Sequence, residues 1–237
     1  MAKTAIYIIL GFWVIALVGF WPTYFSRLPD VQLAGHLHGV LVFGWFALLL
    51  LQASLIHSRR NALHSALGKI SYVYAPVLAL GTLLAAHLML SHGDNPPLDY
   101  HLHLLAIILP SVCAFLLLYI QAMRHRRNMQ VHARYLIGTA VVYLVPALSR
   151  IIGIYFMPFD ANSSLSEMTA PDHLALIVMQ LFTLALLLND WRRGRDTRPY
   201  GLCLILLVTI EFLFWMLPQQ AWWPAFGRAY LALPLGF

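Results

Sequence analysis

Long apolar stretches, separated by short polar connections, follow one another along the chain. A transmembrane helix needs roughly 20 predominantly apolar residues, and seven stretches approach or exceed that length. They cover residues 5–25, 36–56, 70–92, 101–123, 134–157, 173–190 and 201–217. The pattern predicts an all-α polytopic membrane protein with seven transmembrane helices in a single transmembrane domain, residues 1–237.

The first apolar stretch has the length of a secretory signal peptide, and Lys3 precedes it. The stretch ends in the aromatic run Trp21-Pro22-Thr23-Tyr24-Phe25, which is typical of a membrane interface. No small-residue cleavage site follows it. We therefore expect this stretch to be a retained transmembrane helix.

Composition agrees with the apolar pattern. The chain is 61% hydrophobic and 10% charged, with a mean hydropathy of +0.74, whereas soluble domains carry about 25% charged residues. The net charge of +6 does not indicate a nucleic-acid partner, because the arginines are grouped in short connections between apolar stretches. Cys113 and Cys203 both lie inside apolar stretches, so they offer neither a disulfide framework nor a thiolate metal site.

Positive charge alternates from one connection to the next. The connections after the second, fourth and sixth apolar stretches are basic, and the other three are acidic or nearly neutral. Because basic connections stay in the cytoplasm, the sequence predicts a cytoplasmic N-terminus and an outside C-terminus in the cytoplasmic (inner) membrane. The basic residues are Arg59, Arg60, Lys69, Arg124, Arg126, Arg127, Arg134, Arg192, Arg193, Arg195 and Arg198.

Polar residues indicate an internal repeat. The tripeptide His-Leu-His opens the second and the fourth stretch, at residues 36–38 and 101–103, and each stretch closes with Gln-Ala. Two histidines seven residues apart follow in each copy, His57 with His64 and His125 with His132. We interpret residues 36–92 and 101–157, approximately, as two copies of one hairpin. Such parallel repeats are related by a pseudo-two-fold axis, which predicts a four-helix core.

Seven of the eleven histidines are predicted to lie near the outer face of the membrane. Ionisable groups near hydrocarbon are costly and mark functional sites, and imidazole is the commonest protein ligand for transition metals and a ligand of haem iron. Three interpretations stay open: metal or haem ligation, independent interfacial hydrogen bonding, and a proton relay or pH sensing. The seven are His36, His38, His87, His92, His101, His103 and His173, of which His92 and His173 are expected nearer the surface.

The histidines form two facing sets. Residues two apart on a helix point about 200° apart, so one member of each His-Leu-His is expected to face the core. His36 or His38 with His101 or His103 can supply two axial nitrogens to a haem. With His87 and His173, the same residues can instead bind copper, iron or zinc. On the cytoplasmic side, His64 and His132 form a second candidate pair, or else cap helices and meet lipid headgroups.

Arg150 and Glu211 are predicted to lie at matched depths in the fifth and seventh helices. Because two opposite charges at the same depth can meet, we expect Arg150 and Glu211 to form an ion pair, which lowers the cost of burying both charges. Arg150 can alternatively hold a haem propionate, a lipid phosphate or a substrate carboxylate through its planar fork. Glu211 can alternatively move protons.

Several motifs resemble a family of uncharacterised bacterial seven-helix membrane proteins, which brings no established activity. They include His36-Leu37-His38-Gly39, Leu63-His64 with Leu67-Gly68, and His132-Ala133-Arg134. The chain is more loosely similar to the di-haem transmembrane cytochromes b that are reduced by ascorbate. That similarity implies one haem between the second and fourth helices and another, in the other leaflet, between the third and fifth.

Three functions follow as expectations. The first is a membrane redox protein that binds b-type haem near the outer face and exchanges electrons with quinol or a redox partner. The second is a copper, iron or zinc metalloenzyme or metal-handling protein that uses the same histidines. The third is a non-metal transporter or assembly factor. A retinal protein is excluded, because Lys3 and Lys69 are the only lysines and neither lies in the seventh stretch.

Overall fold

The protein is a bundle of helices. The computed structural model describes residues 2–91, 98–160 and 162–233. In these ranges its α-helices are α1 (Ala2–Phe20), α2 (Leu33–His57), α3 (Asn61–Gly68), α4 (Ser71–Ser91), α5 (Leu98–Arg124), α6 (Met129–Ile151), α7 (Leu165–Arg192), α8 (Arg198–Met216) and α9 (Trp223–Leu231). Short 3-10 helices cover Phe25–Asp30 and Leu217–Gln219, and a π-helical turn covers Ile152–Phe156.

Seven of the described helices, α1, α2 and α4 to α8, are long and apolar enough to cross a membrane. This confirms the predicted all-α polytopic fold with seven spans. Large apolar side chains point away from the bundle along its length, including Val73 (69% exposed), Leu80 (65%) and Ile205 (64%). Such an outer surface requires an apolar solvent, which a lipid bilayer provides.

The spans alternate in direction, so the bundle has two distinct ends. We call one the basic end; it holds the connections at residues 58–60, 125–128 and 193–197, which carry six of the thirteen arginines. We call the other the histidine end; it holds residues 21–32, the π-helical turn after α6, and α9. The short α3 lies at the basic end between α2 and α4, so His64 belongs to a helix of its own.

Helix α6 lies at the centre of the bundle and packs against α1, α5, α7 and α8. More of its length is buried than that of any other described span. Its contact with α1 is close, because a Cβ atom on Gly19 would collide with the carbonyl oxygen of Ala147. Small residues allow this approach of two backbones, a common basis of helix packing in membranes.

Aromatic side chains from α2, α5 and α6 fill the middle of the bundle. The indole Nε1 of Trp45 donates to Thr139 Oγ1 at 3.1 Å, and its ring lies 5.3 Å from Phe115 and 5.8 Å from Tyr119. Phe115 in turn contacts Tyr143 at 4.7 Å between ring centroids. Helices α2, α4, α5 and α6 thus share one core, and α1 packs between α2 and α6. Duplication of a hairpin stays a prediction.

The predicted start of the sixth span at residue 173 is wrong. Helix α7 begins at Leu165, because Ser164 and Glu167 form a capping box that satisfies the first backbone N–H groups. His173 therefore lies eight residues inside the helix, about 12 Å from its start. The expected position of His173 nearer the membrane surface stays a prediction. Likewise, α6 begins at Met129 rather than at residue 134. The Asn128 side chain caps this start, because it accepts hydrogen bonds from the backbone N–H groups of Gln130 and Val131.

A buried ion pair joins α6 to α7 at the basic end. Arg134 and Asp190 are 3% and 2% exposed. The guanidinium of Arg134 donates to both carboxylate oxygens of Asp190, with the Nη2–Oδ1 distance at 3.1 Å. Its Nη1 also donates to the Gln130 carbonyl at 2.9 Å. Arg195 lies 3.5 Å from Asp190 Oδ1.

Asp190→Asn is expected to lower the free energy of unfolding by about 3–5 kcal/mol, because it leaves the Arg134 guanidinium buried without its counter-charge. Thermal unfolding in a mild detergent measures this as a fall in Tm. Asp196→Asn is the matched control, since its partner Arg198 is 78% exposed, and it should leave the Tm nearly unchanged. Equal losses for the two variants would contradict a structural role for the buried pair.

Candidate functional site

Polar and ionisable side chains from four helices lie within the bundle at the histidine end. We call this set the histidine-end cluster: His38 of α2, Ser149 and Arg150 of α6, Asp172 and His173 of α7, and Glu211 of α8. The π-helical turn Ile152–Phe156 follows directly on the α6 members. Irregular helical turns of this kind are frequent at functional sites.

Asp172 is the most buried acid of the cluster, at 6% exposed. The Ser149 hydroxyl donates to its Oδ1 at 2.5 Å. Its Oδ2 is buried and has no hydrogen-bond partner among the described residues. Arg150 and His173 are close enough to interact electrostatically with it. A carboxylate oxygen in this position can accept a proton or a hydrogen bond from a ligand.

Glu211 pairs with His173 and not with Arg150. His173 Nδ1 lies 2.6 Å from Glu211 Oε1, and the imidazole packs on Phe214 at 4.5 Å between ring centroids. The predicted Arg150–Glu211 ion pair is therefore wrong. The early start of α7 places His173 at the depth of Glu211, and α7 packs directly against α8. Glu211 Oε2 is buried without a partner in the described part of the chain.

Arg150 retains free hydrogen-bond donors. Its Nη1 donates to the Pro146 carbonyl at 3.1 Å, and its guanidinium lies over the Phe20 ring at 4.6 Å from the centroid. It also interacts electrostatically with His38 and Asp172. No carboxylate of residues 2–91, 98–160 or 162–233 accepts a hydrogen bond from it. Its fork can therefore still donate to an anionic group.

The two histidines of the first His-Leu-His differ in their surroundings. His36 Nδ1 lies 3.2 Å from the hydroxyl of Tyr24, which precedes α2. The Nδ1 of His38 is buried and has no partner among the described residues. The divergence follows from their spacing of two residues on a helix. His38 is thus the member of this pair that can take up a ligand within the bundle.

The second His-Leu-His divides in the same way. His103 Nδ1 lies 2.9 Å from the Asp99 carbonyl oxygen, so it has a local partner. His101 is 3% exposed, and its Nδ1 has no partner in the described ranges. His87 of α4 is 5% exposed with its Nδ1 likewise unpartnered, and its ring lies 5.5 Å from Tyr230 of α9.

The described residues do not assemble the predicted multi-ligand metal centre. Among them, no group of three or more His, Cys, Asp or Glu side chains could hold a metal ion. His92 lies outside the described residues. A haem needs only two imidazole ligands, so this result does not test haem binding, which stays a prediction.

His64 and His132 do come together at the basic end. Each has its Nδ1 fixed locally. His132 Nδ1 donates to the Ala122 carbonyl at 2.8 Å. His64 Nδ1 accepts from the Gln52 side-chain amide, in the amide orientation that satisfies both its nitrogen and its oxygen. The two rings are close enough to interact electrostatically. Both line one cavity of about 380 Å³. The predicted pairing of these two histidines thus agrees with their placement, and their ligand is untested.

Three polar partners were absent from the sequence prediction. Asp172 was overlooked as an acid of the site, although it precedes His173 in the chain, and Gln52 and Asp190 were not recognised as partners of His64 and Arg134. The capping pattern from Ser164 to Glu167 could have revealed Asp172, since it places residue 172 inside a helix. No local signal identifies the other two.

Comparisons with protein-family models, with curated proteins and with solved structures found no match. The resemblance to uncharacterised bacterial membrane proteins and the looser similarity to di-haem cytochromes b therefore stay predictions.

A double-mutant cycle on His173→Asn and Glu211→Gln is expected to give a coupling energy of about 1 kcal/mol or more, because the two side chains are in direct contact. A second cycle, Glu211→Gln with Arg150→Gln, serves as the control and should give a smaller coupling. Unfolding in detergent by increasing denaturant measures both. Stronger coupling of Glu211 to Arg150 would contradict the described pairing.

Proposed function

We propose that the chain is an integral membrane redox protein that binds b-type haem at the histidine end, through His38 of α2 and His101 of α5. The observation that carries this proposal is the set of buried imidazole nitrogens without partners, contributed by three different helices. His87 of α4 is the third member of that set. A buried polar nitrogen without a partner costs about 1–3 kcal/mol, so three such groups towards the histidine end favour a ligand that binds there.

The residues fit a haem better than a multi-ligand metal ion. Two imidazoles suffice to hold a haem, and His38 and His101 are the members of the two His-Leu-His motifs whose buried Nδ1 atoms have no partner among the described residues. Arg150 has donors free to hold a propionate carboxylate through its planar fork. A copper, iron or zinc centre is less well supported, since the described residues bring no three ligands together.

A bound haem would supply one-electron transfer, and the residues around it supply proton acceptors. The carboxylates of Asp172 and Glu211 each keep one buried oxygen without a partner among the described residues. His173 contacts Glu211 at 2.6 Å and can exchange a proton with it. Quinol releases protons when it is oxidised, so this arrangement suits quinol as the electron donor.

The test is an absorption spectrum of the purified protein, oxidised and then reduced with dithionite. Sharp α and Soret bands that shift on reduction are expected from protein made with adequate haem supply. The double variant His38→Ala with His101→Ala should lose these bands, because both axial ligands are removed.

The matched control is His36→Ala with His103→Ala, which removes two histidines from the same two helices and should keep the bands. Bands that persist without His38 and His101 would contradict the proposed ligands. A featureless wild-type spectrum would contradict the haem itself and leave elemental analysis for copper, iron and zinc as the next measurement.

A proton-coupled transporter is the second candidate, and the His173–Glu211 contact favours it. A histidine in contact with a glutamate, beside a buried aspartate, is typical of proton pathways in membranes. This function predicts no visible absorption. It predicts proton uptake by proteoliposomes that is lost in Glu211→Gln.

We infer that the basic end faces the cytoplasm, with the N-terminus on that side and the C-terminus outside, in the cytoplasmic (inner) membrane. The support is the placement of the arginine-rich connections at one end of the bundle. The histidine-end cluster then lies towards the outer face.

Fusions to the C-terminus test this orientation. An alkaline phosphatase fused after residue 237 is expected to be active, and a green fluorescent protein at the same position is expected to be dark. Fusions in the connection at residues 125–128 should behave in the opposite way. An active phosphatase in that connection would contradict the proposed orientation.

A further inference from the structure

The cavity of about 380 Å³ at the basic end has two chemically different parts. Its apolar part is formed by aliphatic side chains of α1, α2, α6 and α7, namely Ile8, Ile9, Leu49, Leu136, Ile137 and Leu186. Its polar part holds Gln52, His64 and His132 together with charged residues of α6, α7 and the connection after α7. A ligand that fits both parts must be amphiphilic.

The charged residues of the cavity carry a net positive charge. Arg134, Arg193 and Arg195 line it with a single aspartate, Asp190, so the net charge is +2 with the histidines neutral. Arg134 is fully engaged with Asp190, and Arg195 lies 3.5 Å from the same carboxylate. The Arg193 side chain is exposed and has no hydrogen bond or ion pair with any described residue. It is free to bind an anion.

The two histidines add a fixed donor and a fixed acceptor. Because His64 Nδ1 accepts from Gln52, neutral His64 carries its proton on Nε2 and can donate there. Because His132 Nδ1 donates to the Ala122 carbonyl, neutral His132 has a free lone pair on Nε2 and can accept. Gln52 is fixed in turn, since it also donates to the His64 carbonyl and accepts from the Gly68 N–H, both at 3.1 Å. A head group with both oxygen acceptors and a hydroxyl proton satisfies this pair.

We propose that this cavity binds an amphiphile with a phosphate head group and an apolar chain. Phosphate matches the net charge, the free arginine fork and the donor–acceptor pair, since it presents several oxygens and can carry a proton. The apolar chain lies between α1, α2, α6 and α7. This site is separate from the histidine-end cluster and does not depend on haem binding.

The probe is dodecyl phosphate, added to the purified full chain in a non-ionic detergent. Saturable binding with a rise in Tm is expected, because the ligand binds the folded state. Arg193→Gln should weaken the affinity roughly tenfold or more, as loss of a charge-assisted hydrogen bond does. Ala133→Phe, which fills the cavity, should weaken it at least as much. Inorganic phosphate should bind far more weakly, because it lacks the chain.

The matched control is Arg192→Gln, which removes the neighbouring exposed arginine that does not line the cavity. It should change the affinity by less than about twofold. The proposal is overturned if dodecyl phosphate does not saturate, if inorganic phosphate binds equally well, or if Arg193→Gln binds as wild type does.

The source of the phosphate is resolved by native mass spectrometry of protein extracted from membranes. Stoichiometric phosphatidylglycerol that is retained by the wild type and lost in Arg193→Gln identifies a lipid headgroup. If the extracted protein carries no lipid but binds dodecyl phosphate, more weakly in Arg193→Gln than in Arg192→Gln, the natural ligand is a free phosphate ester. Both outcomes support the site, and they differ only in its ligand's origin.

Discussion

A polar side chain within a lipid-surrounded bundle has to find its partner inside the protein, because hydrocarbon offers none. Helix α6 depends on this constraint along its whole length. At the basic end its Arg134 binds Asp190, in the middle Thr139 accepts from Trp45, and at the histidine end Ser149 donates to Asp172. Each contact joins α6 to a different helix or a different level of the bundle. The central position of α6 follows from these contacts and from its close approach to α1.

Both candidate sites lie beside this helix, near opposite ends. His132 and Arg150 are 18 residues apart on α6, so about 27 Å separates them at 1.5 Å per residue. At the basic end the buried Arg134 and Asp190 are paired with each other. The groups free to bind a ligand there are the Nε2 atoms of His64 and His132 and the exposed Arg193, which line the cavity. At the histidine end three imidazoles and two carboxylate oxygens remain unpartnered among the described residues. The two ends therefore suit different ligands: an amphiphilic anion at one and a cofactor held by imidazoles at the other.

The sequence predicted the seven spans because hydropathy and length determine them nearly independently of packing. It placed the start of α7 too late, because Ser166, Glu167, Thr169 and Asp172 make the first two turns look like a connection. The capping box of Ser164 and Glu167 specifies where α7 starts. A hydropathy profile cannot detect a capping box, because the residues that form it are polar. This one error explains why Glu211 was assigned to Arg150 rather than to His173.

The pairing of His64 with His132 was predictable from the repeated spacing, whereas the cavity between them was not, since α1 and α7 contribute its walls. Which member of each His-Leu-His is free was also beyond the sequence. His36 is not free because its Nδ1 contacts the Tyr24 hydroxyl, and His103 is not free because its Nδ1 contacts the Asp99 carbonyl oxygen.

The central claim is that buried imidazoles at the histidine end hold a haem. The most direct measurement is the haem content of the purified protein, determined as the pyridine haemochromogen against protein concentration. The account predicts at least one haem b per chain, since His38 and His101 would together hold one haem. A protein that is folded, expressed with adequate haem and free of haem would contradict it.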